Sequence, residues 1–187
     1  MDRNEAWAIL NEYTKNPSLI KHALAIEAAM RFYADKLGGD VELWGVVGLL
    51  HDFDYERWPD PPSHTREGAK ILRAAGADEE SVGAILSHAP WNIDEYPCDR
   101  PIRKALFAVD ELCGFIVAVA MVRPERLVGL RAKSVRKKLK QSGFAAAVSR
   151  EDVAAGVELL GIDFAEHVNN CIDALAPIAA ELGLVPQ

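Results

Sequence analysis

The sequence predicts an all-α fold, and three observations support that. Apolar residues recur at three- and four-residue spacing almost throughout the chain, the period of a helix with one buried face. The strict alternation of β-branched and polar residues that a half-buried strand requires is scarce. Punctuation falls where helices begin and end, as at Asn16-Pro17 and Gly38-Gly39.

The first helix runs from about Asn4 to Tyr13. Asn16 then caps a long second helix with Pro17 at its first position, where proline's missing N–H costs nothing, and Gly38-Gly39 closes it. A third helix, Val41 to Leu50, is greasy up to its end and stops on His51-Asp52. The proline-rich WPDPPS, Trp58 to Ser63, cannot be helix interior and reads as a loop. Ser63 is expected to cap a fourth helix through Ala75, and Asp78 a fifth that ends near His88. A second loop, APWNIDEYPCDRP, precedes the longest apolar segment, Ala105 to Val122, which Asp110 and Glu111 interrupt. The uncharged part after them is too short to span a bilayer, so it reads as a buried helix. After Arg123-Pro124 come a short basic helix and one from Ser149 to Leu160, with Ser149 and Asp152 resembling a capping box. A last helix is expected from about Asp163 to Leu182, closed by Gly183.

Composition narrows the function. The chain has 187 residues, half of them hydrophobic, a size that suits one domain with a sizeable core. A net charge of -7 and a pI near 5.3 argue against nucleic-acid or anionic-membrane binding driven by overall charge. Cys98, Cys113 and Cys171 form no CxxC pair and no even framework, and the N-terminus lacks a basic region followed by an apolar block. A reduced, cytoplasmic setting is the simplest expectation.

Several polar residues sit on apolar stripes. His22 shares a helix face with Leu19 and Ile26, His88 follows Ala84 and Ile85, and His64 lies on the side of Gly68, Ile71 and Leu72. Asp110 lies between Leu106 and Cys113, with no lysine or arginine beside it on that stripe. An ionised carboxylate in an apolar interior costs several kcal/mol unless it is paired. One inward histidine alone is an ordinary core residue, but six such groups together point to a bound cation, whose natural ligands are imidazoles and carboxylates. His167, beside Glu166 in DFAEHVNN, is expected on the surface.

In order, His22, His51-Asp52, His64, His88 and Asp110 resemble the HD superfamily of metal-dependent phosphohydrolases. That family is defined by a histidine, a His-Asp doublet and a distant aspartate on an all-α bundle. His64 and His88 match the two further histidines of its two-metal members. The resemblance spans roughly Leu19 to Leu112. It implies a single HD domain over 1–187, with a metal-binding core at about 17–122 and C-terminal helices, 123–187, completing the bundle. It also implies that His22, His51 and Asp110 hold one ion and His64 and His88 the second, while Asp52 bridges them and positions a catalytic hydroxide. Two divalent transition ions are expected. Fe or Mn is favoured, with Co, Ni or Zn also suited to this donor set and Ca or Mg less so.

The expected activity is hydrolysis of a small phosphomonoester or phosphodiester, with nucleotides among the candidates. The alternatives are a di-iron oxygenase of the HD type and a non-catalytic module that binds metal or nucleotide. Candidate substrate contacts are Lys21 next to His22, Arg66 just after His64, Lys104 upstream of Asp110, and Lys133. Lys133 belongs to a basic segment with Arg131, Arg136, Lys137, Lys138 and Lys140, which is either a solvated face or a rim that attracts phosphorylated substrates. Asp54 is a candidate for leaving-group protonation or for loop capping. Trp58, Trp91 and Tyr96 are candidates to stack on a base or to close the bundle. The apolar last helix is equally a homo-oligomer face and a packing element.

Overall fold

The computed structural model describes residues 1–186. In chain order its α-helices are α1 (Arg3–Tyr13), α2 (Pro17–Leu37), α3 (Val41–Leu50), α4 (Ser63–Ala74), α5 (Glu79–Ser87), α6 (Pro101–Met121), α7 (Ala132–Leu139), α8 (Arg150–Leu160), α9 (Phe164–Leu175) and α10 (Ala179–Leu182). Two 3-10 turns, Pro90–Asn92 and Ala176–Ile178, complete the order, and no strand occurs among the described residues. The fold is all-α, as the sequence predicts. None of these helices is long and apolar enough to cross a membrane.

The two 21-residue helices α2 and α6 form the centre. α2 packs most extensively on α3 and also on α6 and α9, while α6 carries α5, α7, α8 and α9 around it. Ile26, Met30 and Tyr33 from α2 and Leu106, Leu112 and Phe115 from α6 are essentially inaccessible. Full burial of each such side chain is worth about 1.5–3 kcal/mol.

One close approach positions the site. A Cβ on Gly48 of α3 would stand 2.8 Å from the Ile26 carbonyl oxygen and 2.9 Å from Met30 Cγ on α2. Only glycine lets the two backbones touch there. Gly48 lies one turn before His51 and Ile26 one turn after His22, so this contact brings the two imidazoles together.

Three expected elements are corrected. Ser63 does not cap α4 through its side chain. Instead His64 and Thr65 leave helical geometry, Thr65 with φ of 66°, and regular turns follow. A positive φ at a β-branched residue is strained, and strain of this kind persists only where surrounding contacts impose it. Here Asn92 Nδ2 donates to Thr65 Oγ1 at 2.9 Å, and Thr65 Oγ1 donates to the His64 carbonyl at 2.6 Å. The last helix is broken rather than continuous, because Pro177 lacks the N–H that the ladder needs. The chain passes through the 3-10 turn at Ala176–Ile178 before α10 and the left-handed Gly183. The greasy helix also starts earlier than expected, at Pro101, which occupies the first turn.

Candidate metal centre

Six side chains converge: His22 from the first turns of α2, His51-Asp52 at the end of α3, His64 at the start of α4, His88 at the end of α5 and Asp110 from the middle of α6. His22 Nε2 on α2 lies 3.0 Å from Asp110 Oδ1 on α6 and 3.2 Å from His51 Nε2 at the end of α3. His51 Nε2 is also 3.4 Å from Asp110 Oδ1 and 3.5 Å from Asp52 Oδ2. On the other side, Asp52 Oδ1 lies 3.2 Å from both His64 Nε2 and His88 Nε2. The donor atoms of His22, His51 and Asp52 lie within 4.8 Å of one another, and so do those of Asp52, His64 and His88. Asp52 is common to both sets.

Local structure aims the rings. His51 and His88 both follow the last residue of a helix, where carbonyls have lost their intrahelical partners. His51 Nδ1 donates to Gly48 O at 2.8 Å and His88 Nδ1 to Ile85 O at 2.6 Å. A carbonyl only accepts, so the proton is assigned to Nδ1 and the Nε2 lone pair turns inward. His64 is held the same way by Asp54, whose Oδ1 accepts from His64 Nδ1 at 2.9 Å and whose Oδ2 accepts from Gly68 N–H at 2.9 Å. Asp54 is therefore a buried orienting group that also caps the start of α4. This pattern, in which the far nitrogen of three of the four rings is pinned, is how metal-ligating histidines are fixed.

Lone pairs consequently face lone pairs, with carboxylates between them. Burial disfavours an imidazolium at His51, but the Asp52 and Asp110 charges outweigh it and raise its pKa to about 9. His64 behaves alike: burial opposes the charge, Asp52 and Asp54 overcome it, and its pKa rises to about 9. Burial pushes Asp52 and Asp110 upward, yet the neighbouring histidines hold both well below the usual carboxylate range. Without another cation, protons fill the place where a positive charge is required. Four imidazoles and two carboxylates converging in this way fit a divalent transition-metal site.

A cavity of about 370 Å³ opens onto this cluster. Five of the six groups line it, His51 lying beneath, and its other walls include Tyr55, Trp91, Phe107, Glu111, Val148 and Asp152. Glu111 accepts from the Ser149 N–H at 3.2 Å. Burial, with the Asp110 and Asp152 charges, pushes its pKa up to about 7. A neighbouring cavity of about 330 Å³ shares His22 and Gly114 and is lined by Ser18, Lys21, Val117, Met121 and Leu182.

The expected substrate contacts are placed unevenly. Lys21 lines the neighbouring cavity. Arg66 turns to Asn92 Oδ1 at 2.8 Å and Glu95 Oε2 at 3.2 Å, away from the cluster. Lys104 and Lys133 line neither cavity, and nor does any other member of the basic segment. Arg136 instead lies over Phe164 and Lys138 over Phe144. Of the three aromatics, Trp91 reaches the cavity, Trp58 packs against Tyr13, and Tyr96 meets Arg73.

His167 is not on the surface. It is fully buried, its Nε2–H donating to the Ala108 carbonyl at 2.9 Å and its Nδ1 accepting from the Tyr33 hydroxyl at 2.6 Å. Its face of α9 continues through Val168, Cys171 and Leu175, all buried. That stripe outweighs the exposed Glu166 beside it.

Sequence reasoning missed Tyr55, Phe107, Glu111 and Asp152 as cavity walls. For two of them a signal existed. Phe107 and Glu111 flank Asp110 at helical spacing, with Gly114 one turn further, so all four share a face. Asp152 arrives from a distant element, and no local pattern announces it.

The family model for the HD domain matches residues 19–113. This chain belongs to the HD domain family. The match begins and ends around His22 and Asp110, the outermost members of the cluster. Family members are mostly metal-dependent hydrolases, and the His/Asp cluster is compatible with such a metal site. Neither a curated protein nor a solved structure matched the chain.

Proposed function

We propose that this HD domain protein is a metal-dependent phosphohydrolase acting on a small phosphomonoester or phosphodiester. The observation that carries this reading is Asp52, whose Oδ2 faces His51 Nε2 at 3.5 Å while its Oδ1 faces the Nε2 atoms of His64 and His88 at 3.2 Å. A carboxylate shared between two cations takes such a position. His22, His51 and Asp110 would hold one ion, His64 and His88 the other, and Asp52 both, with Fe or Mn favoured. Bound there, divalent ions supply Lewis-acid chemistry, lowering the pKa of water to about 7 and neutralising charge on phosphate oxygens.

The chain's own residues supply position. Gly48 O, Ile85 O and Asp54 fix three rings before any ligand arrives, so little reorganisation is needed. His51 and Asp54 lie beneath the site, closed to solvent, while His64, Asp52 and Asp110 line the cavity. An ester entering there undergoes hydrolysis by gaining a hydroxyl at phosphorus. The P–O bond to the alcohol breaks, and the departing oxygen takes a proton.

Metal analysis of protein purified without chelator, followed by assays on aryl phosphate mono- and diesters, tests the proposal. Phosphate or phenol release without oxygen uptake is the expected result. Substrate-dependent oxygen consumption with iron alone would instead indicate an oxygenase. Nucleotide binding with no ester cleavage would indicate a binding module.

A further inference from the structure

The cavity wall has a charge pattern that a general phosphatase does not need. Glu111 and Asp152 both line it, and among the described residues no lysine or arginine does. A nucleoside di- or triphosphate carries anionic groups beyond the one at the reacting centre, and those are ordinarily met by Arg or Lys. Here they would meet carboxylates. At the mouth, Tyr55 and Trp91 flank His64 with ring centroids at 5.2 and 5.8 Å, and both remain over a third exposed. Two aromatic rings and two carboxylates around one space form a receptor for an organic cation, because ring faces and carboxylates both attract positive charge.

The hydrolase reading supplies the phosphate end, and the following rests on it. We propose that the cavity selects an ester of a single phosphate whose organic part carries an ammonium group, held by Glu111 and Asp152 with Trp91 and Tyr55 at the mouth, and that it disfavours nucleoside polyphosphates. The neighbouring cavity that Lys21 lines shares His22 and Gly114 with this one, and Lys21 is not part of this wall.

The test uses metal-loaded, full-length protein and a matched pair: O-phosphocholine and the isostere that lacks its positive charge, in which carbon replaces the quaternary nitrogen. Both kcat/KM and equilibrium binding are measured on the alkaline side of neutrality, with ATP and AMP as comparators. The cationic ester should be preferred over its isostere by about tenfold or more, the scale of a desolvated cation–aromatic contact with charge pairing. The double substitution Glu111→Gln, Asp152→Asn should bring that ratio close to one, and Trp91→Ala should reduce it partway. A ratio read within one variant is insensitive to partial unfolding, which changes both values together. Hydrolysis of both esters at equal efficiency, or a preference for ATP or AMP, overturns the inference and leaves the hydrolase reading intact. Preferential binding of the cationic ester with no cleavage of any ester supports the inference and overturns the hydrolase reading. Neither binding preference nor cleavage overturns both.

Discussion

Two buried imidazole environments lie on the same central pair of helices, α2 and α6, and they differ in one respect. His167 has both ring nitrogens matched, one to a carbonyl and one to the Tyr33 hydroxyl, with Asn170 Nδ2 donating to that hydroxyl at 3.2 Å. His51 has one nitrogen matched to Gly48 O and the other facing His22 Nε2 and two carboxylates. Both rings are wholly buried. Burial therefore does not distinguish the ligand proposed at His51 from the core residue at His167, whereas an inward lone pair without an N–H partner does.

The sharpest way to break this comparison is to remove a group from each environment. Asp52→Ala takes away the carboxylate common to both donor sets and should abolish both metal retention and ester hydrolysis, read by elemental analysis and assay. His167→Phe should leave metal content unchanged and lower Tm instead. It leaves the buried Tyr33 O–H without its acceptor and takes one donor from the Ala108 carbonyl, at a cost of about 1–3 kcal/mol. A His167 variant that loses metal would end the distinction.

Next in size is Asp54→Asn, which keeps the shape but removes the charge that pins His64 Nδ1. Outer partners of this kind are worth about 10–100-fold in metal affinity. The affinity loss should appear at one of two ions, with the fold retained by circular dichroism. Gly48→Ala follows. Its methyl group would meet the Ile26 carbonyl at 2.8 Å, so α2 and α3 must separate. Overpacking of this sort costs about 1–3 kcal/mol, and a drop in Tm accompanied by weaker metal binding would show that the helix contact sets the His22–His51 spacing.

The smallest effect is in the pH dependence of metal-free protein. His51 and His64 have folded pKa values of about 9 against an ordinary 6.5. Raised values contribute stability that is fully present below 6.5 and is lost as pH rises through about 9. Metal-free protein should therefore lose Tm across that window. The Tm gain on adding metal should widen over the same range, since ions replace the departing protons. A flat profile would mean that the imidazoles are not charged in the metal-free state.

How legible all this is in the sequence depends on whether the signal is local. His22, His88 and Asp110 can be placed because each shares a helical stripe with apolar neighbours, and His51-Asp52 because a greasy helix ends on it; His64 joins them from a non-helical backbone, not from the stripe its spacing suggests. Helix starts at Pro17 and Asp78 are equally local. Thr65's left-handed backbone is not, since Asn92 holds it from 27 residues away. His167 is misplaced because Glu166 beside it is more conspicuous than Cys171 one turn on. Asp152 joins the cavity only through the packing of α8 on α6. Arg66 lies next to a cluster member in sequence yet points away, because the kink at His64 and Thr65 separates their directions.

The most direct measurement is the number of transition-metal ions bound per chain, by equilibrium dialysis with Mn or Fe and by elemental analysis of protein as purified. The account predicts about two ions per chain in the native protein and none retained by Asp52→Ala. A correctly folded, fully loaded preparation that binds no transition metal, or an Asp52→Ala variant that binds as many ions as the native chain, would contradict it.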